Sequence, residues 1–383
     1  MTLWHLLEAA FWFCAIGSGF SYFFYPAILL LAPRVSVNLA VPQQLPRISV
    51  IIAARNEQKR IEHKLRSTLA LDYPRELLEI IVASDASDDR TDEIVRSFGA
   101  SGVRLSRCGQ RGGKEAAQAH AIGESTGEVI VFTDSATRLE PDALQRIARN
   151  FSDPTVGALS SEDRLEPPSM GGSSSGEGAY VRYEMWLRRL ESDRAGLVGL
   201  SGSLFAVRRL VAERWPIHVP SDISAALRAA SLGLRAIADP DLYGYYSDLH
   251  DTSKEYERKV RTVVRGMAAV ANMRELLNPF RHGWYSFQLW GHKILRWMTP
   301  VFLIVLWSVS GLLAAHGTFY LAVFALQSFV YGVAALAWLI PQLQRIGPLR
   351  LACYLVQVHV AQLDAGLRYA RGERIVVWSP SVR

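Results

Sequence analysis

The chain has 383 residues, half of them hydrophobic and only a fifth charged, with a mean hydropathy of +0.10 and a formal net charge of +6. That composition excludes disorder, collagen and coiled coil. Its three cysteines, Cys14, Cys108 and Cys353, lie far apart with no CxxC or Cys/His spacing, which excludes a disulfide scaffold and the common zinc and redox motifs. The basic balance points to anionic partners: nucleotide, nucleic acid or lipid headgroup.

Leu6 to Leu31 is nearly all apolar and long enough to cross a bilayer. It is too long for a signal-peptide core and has no basic n-region, so it reads as a retained anchor. Arg47 to Ala54 (RISVIIAA) is a β-branched run typical of a buried parallel strand. Glu57 to Leu69 has helical spacing. Leu78 to Ala83, Val103 to Ser106 and Val129 to Thr133 read as further strands, alternating with helices from Asp92 and over Gly113 to Glu124. The alternation predicts a doubly wound α/β sheet. Arg55, Asp85 and Asp134 fall just beyond strand ends, where such sheets bind ligands.

Segment 167–178 is a Gly/Ser/Pro loop, flexible by composition. The stretch 253–297 is basic and aromatic, suited to an anionic membrane surface. Met298 to Ala315 and Phe319 to Ile340 read as two further spans. Leu351 to Leu367 is interrupted by Gln357, His359, Gln362 and Asp364, so an interfacial or bundle-packed helix is favoured over a fourth span. The expected division is an anchor (1–45), a catalytic domain (46–252), interfacial helices (253–297) and a membrane region (298–383). Arg34, Arg47 and the basic stretch place the domain in the cytoplasm, under an inner cell membrane. A full fourth span would carry Arg368, Arg371, Arg374 and Arg383 outside. With these anchors and no helix-turn-helix or RNA-binding signature, nucleic acid is excluded as a partner.

Several constellations can carry chemistry. The turn Ser84-Asp85-Ala86-Ser87-Asp88-Asp89 follows a strand; it suits nucleoside or cation binding, or caps the next helix through Asp89 or Thr91. Asp134 ends a buried strand, as a Mg²⁺ or Mn²⁺ ligand or a turn acid does. Gly112-Gly113-Lys114 opens a helix whose backbone N–H groups can bind phosphate. It is not a Walker A loop, because Glu115 stands where that motif has Ser or Thr after its lysine. Asp222 precedes a helix and on position alone is a capping acid.

In this order and spacing, ISVIIAARNE, EIIVASDASDDRTDEIV, GGKEAAQAHAIGESTGEVIVFTDSAT, YEMWLRRLESDRAGLVGLSGSLFAVRR, PSDISAALRAASLGLRAIADPD, KEYERKVRTVVRG, GHKILRWMTP and RYARGERIVVWSP resemble the membrane-bound family 2 glycosyltransferases, which include cellulose and poly-N-acetylglucosamine synthases. The resemblance implies a GT-A-like (Rossmann-like) nucleotide-sugar domain between membrane helices. It implies nucleotide contacts from Arg55, Glu57 and Asp85, and diphosphate contacts from Lys114. It makes Asp134 the first acid of a DxD motif holding Mg²⁺ or Mn²⁺, and Asp222 the general base. Arg258, Lys259 and Arg261 occupy the segment where QxxRW is found, also on the donor.

This sequence departs from the pattern at several points. Ala53 replaces a proline, Ala136 the second DxD acid, Ala119 an asparagine, and Arg258 and Thr262 the Gln and Trp of QxxRW. The lost Trp argues against a long-chain polymerase. The expected activity is inverting transfer from a nucleotide-activated, UDP-linked sugar to a membrane lipid-linked or saccharide acceptor. Two readings stand beside it: a processive exopolysaccharide synthase, and a degenerate homologue serving as a membrane scaffold. Residues 253–383 hold 15 basic and 5 acidic residues, a net of +10, so the basic character belongs to the membrane-proximal part.

Overall fold

The computed structural model describes residues 2–38, 42–165, 177–246 and 252–375; residues 167–176 of the Gly/Ser/Pro segment and 376–383 of the terminal motif lie outside them. Among the described residues eight strands form one sheet: β1 (Ile48–Ala54), β2 (Leu78–Ser84), β3 (Val103–Arg107), β4 (Val129–Asp134), β5 (Arg138–Leu139), β6 (Val156–Leu165), β7 (Leu204–Arg208) and β8 (Arg235–Tyr246). Their order is β3-β2-β1-β4-β7-β6-β8-β5. The half anticipated from the β-branched runs, β3-β2-β1-β4, is parallel. The other half makes the sheet mixed, with β7 antiparallel to both β4 and β6. The parallel expectation therefore covers only half the sheet. Strands β6 and β8 carry polar residues and a proline, which hide their strand character from pattern reading.

Residues along β1 alternate between two cores, because successive strand side chains point to opposite faces. Val50 and Ile52 pack with Ile61, Leu65, Leu144 and Ile147 on one face. Ile51 packs with Ala117, Ala121, Ala225 and Ala229 on the other. Helices thus cover both faces, and the site is left at the strand ends. Register sets its alignment: Ala53 lies opposite both Ala83 and Asp134, and Ala54 opposite Ser84. Arg55, Asp85 and Asp134 therefore leave the sheet at one level.

Among the described residues, three helical stretches are long and apolar enough to cross a membrane: Leu3–Leu31, Pro279–His316 and Thr318–Leu339. The second begins well before the expected Met298, because helix Pro279–Leu289 runs through a π-helical turn (Trp290–Ile294) into helix Leu295–Leu313. Phe11 and Cys14 pack against Phe302, Leu306 and Val309. Glu8, the charge inside the first stretch, accepts a hydrogen bond from Tyr320 at 3.1 Å.

Where these helices meet the sheet domain, polar groups are buried and paired, as burial requires. Tyr25 donates to Glu191 Oε1 at 2.5 Å, His292 Nδ1 lies 2.6 Å from the same oxygen, and Arg296 donates to Glu184 at 2.6 Å. Helix Gly347–Ala370 is not among the three candidate spans. It packs on helix Thr252–Asn272 through Ala361 and Ala365 against Val260 and Val264, with Tyr256 donating to Asp364 at 3.2 Å.

Candidate active site

A cavity of about 320 Å³ opens at the strand ends. Lys114, Glu115, Asp134, Asp163, Gly202, Ser203, Asp222, Arg258, Arg261, Thr262 and Arg265 contribute to its lining. Of the residues singled out from sequence, Lys114, Asp134, Asp222, Arg258 and Arg261 come together here. Arg55, Glu57, Asp85 and Lys259 do not line this cavity.

Asp85 holds the Gly112-Gly113 loop, occupying the backbone N–H groups that the sequence offered to phosphate. Its buried carboxylate accepts from Gly112 N at 2.7 Å and Gly113 N at 3.0 Å. Gly113 has φ +94°, a conformation open to glycine at little cost, and helix Lys114–Glu124 starts directly after it. Arg55 braces the turn on the other side, donating to the carbonyls of Asp85 (2.6 Å) and Ala86 (2.8 Å) and pairing with Asp88 at 3.4 Å. Ala86 has φ +50°, which a non-glycine residue holds only when its surroundings over-determine it. Asp89 accepts from the backbone N–H and hydroxyl of Thr91, while the N-cap position of helix Thr91–Ser97 is Arg90. Glu57 lies 3.7 Å from Arg60, and its backbone N–H donates to Thr91 Oγ1 at 2.7 Å.

Lys114 Nζ donates to Asp134 Oδ1 at 2.6 Å and to the carbonyl of Gly202 at 3.0 Å. Burial would lower this ammonium, but Asp134 outweighs it and the pKa is raised. The two side chains keep 16% and 30% of their surface, so ligands can reach the pair. Beneath the same turn Lys64 is buried, donating to Thr133 Oγ1 at 2.9 Å and Thr137 O at 2.5 Å. Burial pushes it down to about 7 despite the attraction of Asp134.

Asp222 sits in the first turn of helix Ser221–Ser231. A Cβ placed on Gly202 would lie 3.4 Å from Asp222 Oδ2, so the short Ser201-Gly202-Ser203 turn separates Asp222 from the Lys114–Asp134 pair. The opposite wall is helix Thr252–Asn272. Its spacing of three, four and seven residues puts Arg258, Arg261, Thr262 and Arg265 on one face. Arg265 donates to Glu115 at 2.6 Å, and both side chains are buried. Burial and the neighbouring Arg265 and Arg258 charges lower the Arg261 pKa. An anion entering the cavity relieves that repulsion. Lys259 points elsewhere, with its ammonium 4.5 Å from the ring centroid of Tyr354.

Sequence reading missed Arg265, Glu115 and Asp163. Helical periodicity from Arg258 could have found Arg265. Nothing local marks Asp163, which lies in the unanticipated strand β6.

A divalent ion fits this donor set in a limited way. Among the described residues, no group of three or more His, Cys, Asp or Glu side chains forms a metal cage. Mg²⁺ and Mn²⁺ do not need one, since one or two carboxylates plus substrate phosphates suffice. Asp134 is a part-exposed carboxylate at the cavity.

The family model described as glycosyl transferase family 2 matches residues 49–174, which include Asp85, Lys114 and Asp134. The chain is 24% identical over 176 residues to beta-monoglucosyldiacylglycerol synthase of Synechocystis sp., covering 45% of this chain and 37% of that protein. It is 30% identical over 129 residues to poly-beta-1,6-N-acetyl-D-glucosamine synthase of Staphylococcus epidermidis, covering 33% and 31%. The chain thus spans about a third of the length of these relatives. Among solved structures, the mannosyltransferase PcManGT from Pyrobaculum calidifontis, in complex with GDP-Man and Mn²⁺, matches at 25% identity with a TM-score of 0.71. That match covers 96% of this chain and 100% of that one. Residues 49–174 therefore match a glycosyl transferase family 2 domain, and the chain has the GT-A-like α/β fold that its sequence resemblance implied.

Proposed function

We propose that the protein is an inverting glycosyltransferase that moves a sugar from a nucleotide-diphosphate donor to a lipid-linked or saccharide acceptor at the membrane. One observation carries the reading. A cation–carboxylate pair (Lys114–Asp134) and a separate carboxylate (Asp222) flank a single small turn in one cavity, opposite an arginine-lined helix.

Asp222 takes the proton of the acceptor hydroxyl as its oxygen attacks the anomeric carbon. The bond from that carbon to the diphosphate breaks on the opposite side, inverting the configuration. Lys114, Arg258 and Arg261 neutralise the departing nucleoside diphosphate. Asp134 would hold Mg²⁺ or Mn²⁺, which when bound supplies further charge neutralisation at the diphosphate. Asp85 and Arg55 support the nucleotide side by holding the loop ahead of Lys114; Glu57 belongs to the same edge. Lys259, turned toward Tyr354, serves the packing of the arginine helix rather than the donor.

UDP-linked sugars are the donors expected from sequence, and GDP-mannose joins them because PcManGT holds it. Thr262, where related polymerases have a stacking Trp, supports transfer of one or a few sugars. The cavity borders a helix packed beside the membrane stretches, which favours an acceptor and membrane lipids meeting there, with the domain on the cytoplasmic side. The test is release of nucleoside diphosphate by the purified full chain, across UDP- and GDP-sugars, with Mn²⁺ or Mg²⁺ and a lipid extract as acceptor. Metal-dependent release that disappears in Asp222→Asn supports the reading. No release from wild type with any donor rejects it.

A further inference from the structure

We propose that Asp163 is the residue that reads the hydroxyls of the transferred sugar, restricting the donor to neutral sugars. This rests on the transferase reading above. Asp163 lies on β6, between the sequence stretches quoted for the family resemblance, and it lines the same cavity as Asp134 and Asp222.

Its carboxylate is set in place from below. Oδ1 accepts from the hydroxyls of Ser201 and Ser203, the latter at 2.7 Å. Ser203 in turn has a fixed seat. Its carbonyl accepts from Asp134 N at 3.1 Å, and its hydroxyl occupies space beside Gly244, where a Cβ would come within 3.0 Å of it. Among the described residues Asp163 has no ion-pair partner, and Oδ2 accepts no hydrogen bond. A half-buried carboxylate held through one oxygen by neutral hydroxyls leaves the other oxygen open as an acceptor.

Position then selects the ligand. The Ser201-Gly202-Ser203 turn touches all three acids. Gly202 O accepts from Lys114, which is paired with Asp134; the Gly202 Cα faces Asp222; the two serine hydroxyls hold Asp163. If the diphosphate lies at Lys114 and Asp134, and the attacking hydroxyl at Asp222, the transferred ring lies over this turn. Asp163 is the acid at that turn with neither task. Vicinal sugar hydroxyls are donors suited to it, and such charge-assisted bonds are about twice as strong as neutral ones. A uronate carboxylate at the same place is repelled, so the residue selects against acidic sugars as well as for neutral ones.

The experiment measures binding by the purified full chain with Mn²⁺ and no acceptor. The ligands are UDP, GDP, UDP-glucose, UDP-N-acetylglucosamine, GDP-mannose and UDP-glucuronate. For Asp163→Asn we expect affinity for the free nucleoside diphosphate to stay within twofold. Affinity for the preferred neutral donor should fall at least tenfold, and the discrimination against UDP-glucuronate should shrink. Ser203→Ala, which removes one support, should give a smaller loss with the same pattern, and carries the test should Asp163→Asn not fold. An equal loss for diphosphate and donor would place Asp163 on the diphosphate or the fold and overturn the proposal. Unchanged donor affinity overturns it too. If wild type binds none of these nucleotides, the transferase reading itself falls, and the proposed role falls with it.

Discussion

Arg265 donates to Glu115 across 150 residues of sequence, at 2.6 Å, with both side chains nearly out of water. Glu115 follows Lys114 on the helix that begins after the Gly112-Gly113 loop. Arg265 lies on the amphipathic helix beside the membrane stretches. The pair ties the Lys114 helix to the arginine-lined helix across the cavity. Removing one partner of a buried pair leaves an uncompensated charge, at a cost of about 3–5 kcal/mol. Glu115→Ala should therefore lower the melting temperature of the detergent-solubilised protein markedly. A melting curve like that of wild type would show that the pair contributes nothing to this junction.

On the proposed mechanism Asp222 should matter to turnover and little to nucleotide binding, because it is the base for the acceptor hydroxyl and not a diphosphate contact. General base catalysis contributes about 10²–10⁴-fold. Asp222→Asn is expected to lose that much in transfer rate while keeping nucleoside diphosphate affinity within a fewfold of wild type. Titration calorimetry alongside a product assay separates the two.

Asp134 should matter to metal-supported binding. Asp134→Ala removes the carboxylate proposed for the ion and frees Lys114. Nucleoside diphosphate affinity in Mn²⁺ should then fall to the level measured in a chelator, while the metal-free affinity should hold or rise. Retention of a full Mn²⁺ effect would assign the ion to other residues.

Glu184 gives a pH dependence with a definite sign. Burial would raise its pKa, but Arg296 and His292 override this and hold the carboxyl well below its ordinary value near 4.5. A group depressed in the folded state stabilises it above the unfolded pKa and loses that contribution as pH falls through the folded value. The junction between the sheet domain and the membrane helices should therefore weaken below about pH 4.5. Glu184→Gln should melt lower than wild type at pH 7, and the gap should narrow toward acid.

Helix Gly347–Ala370 docks on helix Thr252–Asn272, and Arg368 approaches both Asp364 (2.9 Å) and Glu257 (3.9 Å). Its far end should then lie on the same membrane side as the cavity. A single cysteine introduced as Arg374→Cys in a Cys-free background is expected to react with impermeant thiol reagents only after the cytoplasmic face is opened. Labelling of intact cells would instead support a fourth span.

Local pattern decided much of this molecule. The β-branched runs at Ile48–Ala54, Leu78–Ser84 and Val129–Asp134 encode strands because burial on both faces selects such residues. Long apolar runs encode the membrane stretches, because a bilayer core demands their length. The spacing of Asp85, Lys114, Asp134 and Asp222 was enough for the family resemblance. Tertiary structure decided the rest. Strands β6, β7 and β8 gain their pairing from neighbours across the sheet, so their own residues announce it weakly. Arg55 and Asp85 stand beyond strand ends in the sequence, and the fold adds that one holds a turn and the other a loop. Lys259 and Arg261 are two residues apart, and helical geometry alone sends one to Tyr354 and the other to the cavity. Glu115 and Arg265, like Asp163 and Ser203, are partners only because the chain returns. Contacts between distant residues follow from packing, and no local spacing encodes them.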